Sequence, residues 1–190
     1  MRIVFALTIL LFFYSGYSQS DLHFNNEFTI KEGLSNNNVN CMMQDSRGFL
    51  WIGTIEGLNR FDGYQFKKIF SEKNNNSGLS HNNIFDIIEY QYGQLLIATS
   101  NGLSVYNTIT NQFENEKIQF PIFKTGAGTV ITNLYKDPSG NIWVNENGEL
   151  DILDSNLTYK YRFTDLPWAK SLKGILIRFE KCYTDQKKQL

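Results

Sequence analysis

The chain has 190 residues with a formal net charge of −1, and 42% of them are hydrophobic against 19% charged. That is room for one folded unit with a useful core, and it excludes a disordered chain. The charge leaves no basic surplus to neutralise a phosphate backbone, and His23, His81, Cys41 and Cys182 cannot supply a zinc cluster, so no nucleic-acid partner, metal or cofactor is expected.

The first 18 residues read as an export signal. Arg2 starts it, Ile3 to Tyr14 form its apolar run, and Gly16 and Ser18 supply small residues before Gln19. The run is short for a membrane span, and none follows it. Cys41 and Cys182 could pair in an oxidising compartment, but two buried thiols are the simpler reading. Phe28-Thr29-Ile30 then form an extended piece.

An internal repeat follows. Gly33-Leu34-Ser35 recurs 45 residues later as Gly78-Leu79-Ser80. The same shift pairs Asn37 with Asn82, Gly48 with Gly93, Leu50 with Leu95, Ile52 with Ile97, Thr54 with Thr99, Gly57 with Gly102 and Leu58 with Leu103. A more worn third copy, 92 residues after the first, pairs Asp45 with Asp137, Gly48 with Gly140 and Trp51 with Trp143. Its inner turn has drifted, with Gly148 one place early.

In copy one, Val39 to Gln44 reads as a strand, Asp45 to Gly48 as a turn, and Phe49 to Thr54 as a strand buried on both faces. Leu58 to Phe61 is a third strand, Asp62-Gly63 a hairpin signal, and Tyr64 to Phe70 a fourth, alternating strand. Copy two predicts strands at Ile84 to Tyr90, Leu95 to Thr99, Leu103 to Tyr106 and Gln112 to Glu114. Four short antiparallel strands in about 45 residues make one propeller blade, which cannot bury its faces alone. Trp51, Ile52, Leu95, Ile97 and Trp143 are expected to fill the space between blades, and Asp45, Asp62, Gly63 and Asp137 to form turns.

Thr184 to Leu190 aligns weakly with Gln44 to Leu50, a start of a fourth copy. Trp168, Leu172, Ile175, Leu176 and Phe179 have helical spacing and offer the rival reading. The expected fold is therefore all-β, an incomplete β-propeller of three four-stranded blades and part of a fourth. The expected division is 1–18 export signal, 19–32 extended segment acting as outer strand of a closing blade, 33–77 blade 1, 78–128 blade 2, 129–172 blade 3 and 173–190 the start of a truncated blade 4.

Gly33-Leu-Ser-Asn-Asn-Asn-Val39, Gln44-Asp-Ser-Arg-Gly48, Leu50-Trp-Ile-Gly-Thr54, Gly57-Leu58 and Phe61-Asp-Gly63 together resemble the two-component regulator propeller repeat, over roughly residues 24–165. This is the periplasmic sensor region of the hybrid two-component sensors of Bacteroidetes. The resemblance implies tandem propellers, a small β-sandwich, a membrane helix, a histidine kinase and a DNA-binding output in the full-length protein. It also implies oligosaccharide sensing. The kinase is expected elsewhere, so this chain is expected to have no kinase activity. Its expected partners are an oligosaccharide or other small ligand, the remaining blades, the C-terminal signalling domains and a second copy in a homodimer.

Strand direction places the loop entering each blade and the turn between its second and third strands on one side. Candidate ligand residues are thus Asn36, Asn37, Asn38 and Glu56, then His81, Asn82, Ser100 and Asn101, then Thr132, Asn133 and Glu146. Asn, Glu and His offer the donors and acceptors that sugar hydroxyls need, while Asn equally serves as a turn residue. No catalytic residues are assigned. A secreted propeller lyase and an interaction or dimerisation scaffold stand as rival functions, and an inert product of a broken gene as a third.

Overall fold

The structure, a computed structural model, describes residues 27–72, 77–118 and 128–167. The expected export signal, the aligned segment at 184–190, the helical alternative and Cys182 lie outside the described residues.

Among the described residues twelve strands form three four-stranded antiparallel sheets, each a simple meander. Sheet one holds β1 (Val39–Gln44), β2 (Leu50–Thr54), β3 (Gly57–Phe61) and β4 (Phe66–Ile69). Sheet two holds β5 (Ile84–Gln91), β6 (Gln94–Thr99), β7 (Gly102–Asn107) and β8 (Gln112–Phe113). Sheet three holds β9 (Ile131–Lys136), β10 (Ile142–Glu146), β11 (Glu149–Leu153) and β12 (Tyr159–Arg162). The first strands β1, β5 and β9 lie side by side in succession. Three meanders stacked this way are three blades of a β-propeller.

Two expected details shift. The fourth strand of blade 1 begins at Phe66 rather than Tyr64, because Asp62 Oδ1 accepts the amides of both Tyr64 and Gln65 at 2.9 Å and holds them in the turn. Ile30–Glu32 is a 3-10 turn rather than extended strand. Lys31 N donates to Thr29 Oγ1 and Thr29 N to Glu32 Oε2, so a capping box curls the chain there.

The core lies between the sheets. Cys41, Trp51 and Leu58 of blade 1 pack on Ile84, Ile87, Leu95, Ile97 and Tyr106 of blade 2. Leu96, Ala98, Leu103 and Val105 present the other face of blade 2 to Leu134, Ile142, Val144 and Leu153 of blade 3. Every residue of β6 is therefore buried, the expected outcome for a central strand covered on both sides.

The expected inter-blade set divides. Trp51, Leu95 and Ile97 sit in the blade 1–2 core. Ile52 is buried on the opposite face of blade 1, because adjacent strand residues point to opposite faces. Trp143 is half-buried on the face of blade 3 turned away from blade 2, its ring 6.2 Å from Phe163. It occupies the register that Trp51 holds in blade 1.

Polar bonds stitch the blades together. Asn40 Nδ2 donates to Ile84 O at 2.7 Å and Asn83 Oδ1 at 3.1 Å. Ser46 donates through N and Oγ to Glu89, and Leu134 N donates to Asp86 Oδ2 at 2.9 Å. On the side opposite the candidate loops, Asp45 and Asp137 each close a turn with Gly48 or Gly140 at positive φ.

Candidate functional site

A repeated hydrogen-bond lock shapes the loop face. In blade 1, Ser35 N donates to Asn59 Oδ1 at 2.8 Å, Ser35 Oγ meets Thr54 Oγ1 at 2.8 Å, and Thr54 Oγ1 donates to Gly57 O at 3.0 Å. Blade 2 repeats it. Ser80 N donates to Ser104 Oγ at 2.9 Å, Ser80 Oγ meets Thr99 Oγ1 at 2.8 Å, and Thr99 Oγ1 donates to Gly102 O at 2.8 Å. The Gly-Leu-Ser motif thus ties the loop entering each blade to the turn between its second and third strands. All these hydroxyls are buried or half-buried, so leaving one unpaired is costly.

The locked turns then join blade to blade. Gly57 N donates to Asn82 O at 2.7 Å, and Gly102 N donates to Thr129 O at 2.7 Å. The three loop clusters form one continuous rim. Gly57 and Gly102 have φ of +133° and +89°, a region that side chains rarely adopt.

The candidate residues on this rim divide by what they already hold. Asn36 donates to Glu56 Oε2 at 2.9 Å and accepts Asn38 N at 2.7 Å. Asn37 Oδ1 accepts Ile30 N at 2.9 Å, and Asn82 Oδ1 accepts Ser71 N at 2.7 Å. His81 Nδ1 accepts Asn83 N at 2.9 Å. Ser100 N donates to Asn83 O and Asn101 N to Thr99 Oγ1, and both residues are half-buried. Asn37, Asn38, Glu56 and His81 are exposed. They offer a strip of amides, one carboxylate and one imidazole to solvent.

Blade 3 departs from the expectation. Thr132 and Asn133 belong to strand β9, not to the entering loop. The loop residues are Gly128, Thr129 and Val130, with Val130 O accepting Asn147 N at 3.1 Å. Asn133 pairs across the sheet with Asn145 on the face turned from blade 2. The drifted Gly148 is explained too. Asn147 and Gly148 have φ of +49° and +86°, the Asn-Gly pair of a tight two-residue hairpin.

Glu146 is buried and sits under the rim rather than on it. By register it replaces Thr54 and Thr99, while Asp151 replaces Asn59 and Ser104. Asp151 is fully buried. Arg162 Nε and Nη2 donate to the two Asp151 oxygens, each at 2.9 Å, and Nη2 also reaches Glu146 Oε2 at 2.5 Å. Arg162 further pairs with Glu149. Burial first, then the Glu146 carboxylate, push Asp151 up to about 7. Burial and the Asp151 charge also raise the Tyr159 phenol. Sequence reasoning missed this cluster, because its members are strand residues brought together by register.

Among the described residues no group of three or more His, Cys, Asp and Glu is placed to hold a metal ion. No helix among them is long and apolar enough to cross a membrane.

Residues 33–56 match the family model described as two component regulator propeller. A curated relative, histidine kinase P4 of Formosa agariphila, is 39% identical over 70 residues, which are 35% of this chain and 5% of that protein. The extracellular domain of a hybrid two component system of B. thetaiotaomicron is similar over 75% of this chain and 20% of its own, with 28% identity and a TM-score of 0.61. The extracellular domain of a one component system of the same bacterium shares the fold alone, at 22% identity over 70% of this chain and 19% of its own, with a TM-score of 0.54. The chain thus spans a small part of the proteins it matches.

Proposed function

We propose, for a chain that carries the two-component regulator propeller repeat, that its loop face is the ligand-reading rim of the exported sensor part of a two-component signalling protein. The similarity to the extracellular domain of a hybrid two component system supports the sensor reading. The observation that carries the ligand reading is the rim itself. Two buried locks hold its turns, inter-blade backbone bonds join them, and Asn37, Asn38, Glu56 and His81 remain exposed along it. A preorganised strip of donors and acceptors suits an oligosaccharide, whose hydroxyls need both. Further blades of the full-length protein cover the outer faces of blades 1 and 3. Signal output belongs to a kinase elsewhere in that protein, reached through C-terminal domains and a homodimer, with the sensor in the periplasm.

Calorimetry of the full propeller against an oligosaccharide panel tests this. Saturable heat without product, weakened at least about tenfold by combined Asn38→Ala and Glu56→Ala, is the expected result. Product formation turns the reading to a lyase. Silence with dimer formation turns it to a scaffold.

A further inference from the structure

Blades 1 and 2 close their loop-face turns with neutral hydroxyl and amide groups. Blade 3 puts two carboxylates, Glu146 and Asp151, at the same register positions, both buried, with Arg162 as their shared cation. Arg162 stands opposite Asp151 on β12, where blade 1 has Lys68 opposite Asn59. Two buried carboxylates this close cannot both ionise cheaply.

We propose that Glu146 and Asp151 share a proton under the clamp of Arg162, and that losing this proton loosens the Asn147–Gly148 turn of the loop face. Among the described residues the groups facing the pair are few. On its own blade they are Glu149, Arg162, Tyr159 and Asp165. From blade 2, Leu96, Ala98, Leu103 and Val105 close the interface without charge, with Tyr90 in the same core and Asp86 bonded to Leu134 N. Among the described residues one cation therefore faces several carboxyls, and the proton supplies the missing neutralisation.

The direction follows from burial. Asp151 rises from an ordinary 3.8 to about 7, so the folded protein holds the proton more tightly than the unfolded chain. The stabilisation is complete below about pH 4 and is lost as the pH climbs through about 7. Glu146 leads directly into the turn, whose Gly148 N donates to Asn145 Oδ1 and whose Asn147 N donates to Val130 O. Ionisation of the pair pushes the two strand ends apart at this point. That the turn then reads a ligand differently rests on the sensor reading above; the lock itself does not.

The test uses the full chain without ligand. Amide exchange at Asn147 and Gly148, corrected for its intrinsic pH dependence, should rise by up to about tenfold per pH unit between about pH 5 and 7, while Glu56 and Gly57 of blade 1 stay flat. An infrared band of protonated carboxyl at pH 6 should vanish in Asp151→Asn. The pair Glu146→Gln with Asp151→Asn should flatten the exchange profile, as should Glu146→Thr with Asp151→Asn, which copies blade 1. A flat wild-type profile with no protonated carboxyl at pH 6 overturns the proposal, and so does a slope that survives in both double variants. Should the variants fail to fold, the two wild-type readouts still decide. Failed oligosaccharide binding would sink the sensor reading and leave these readouts unchanged.

Discussion

Trp51 Nε1 donates to Asp45 Oδ2 at 2.7 Å, and Trp143 repeats the bond to Asp137 at 3.0 Å. The same carboxylates accept turn amides, Arg47 and Phe49 in blade 1 and Asn141 in blade 3. One residue therefore shapes the outer turn and satisfies the buried indole. Blade 2 has Tyr90 and Leu96 at these positions, so it has no indole to satisfy. Its turn is closed by Glu89, which accepts Gly93 N at 2.7 Å.

Asp45→Ala should cost about 2–3 kcal/mol, because it strands a buried indole N–H and two turn amides. Asp45→Asn should recover part of the loss by keeping an acceptor. Urea unfolding of the two variants measures the difference.

Gly53→Ala should destabilise the blade 1–2 contact by about 1–3 kcal/mol. A Cβ there would lie 2.6 Å from Cys41 Sγ and 2.6 Å from Ile84 Cγ2. The equivalent position in blade 2 is Ala98, fully buried against blade 3, so only the first interface demands glycine. A lowered melting temperature with unchanged strand content would report this overpacking.

Thr54→Val keeps shape and removes the hydroxyl that serves Ser35, Gly57 O and Glu56 N. The expected loss is about 1–3 kcal/mol, and Thr99→Val should match it in blade 2. The two losses should add, since the locks share no partner. A double-mutant cycle in denaturant checks the additivity.

Arg162→Met removes the cation from a buried carboxylate pair. Above about pH 7 the wild-type Asp151 is charged and leans on Arg162, so there the loss should reach about 3–5 kcal/mol. Near pH 5 the retained proton on Asp151 should spare much of it. Unfolding curves at pH 5 and pH 8 separate the cases, and equal losses at both would show that the pair does not hold a proton.

The repeat of Gly-Leu-Ser and Gly-Leu at a 45-residue spacing, with Asp-x-x-Gly returning after 92, was enough to read the blades, because each motif acts within one meander. β1 and the turns at Asp45 and Asp137 follow from local alternation and turn chemistry, and the burial of β6 from the unbroken apolar run Leu95 to Ala98. Strand direction puts Asn36 on the side of Glu56, to which it donates, and brings the loop of His81 and Asn82 to Ser100 through Asn83 O. Thr132 and Asn133 were misplaced because the third copy's entering loop had lost its motif, leaving no local mark of where β9 begins.

Tertiary structure alone decided the rest. That Trp51 rather than Ile52 meets blade 2 is set by which face the next blade covers. That Glu146 is buried with Asp151 and Arg162, instead of lining the rim, is set by the register of three strands. Spacing along a chain reports turns and alternation, but the charge a side chain can carry depends on the neighbours that folding brings to it and on the water it removes.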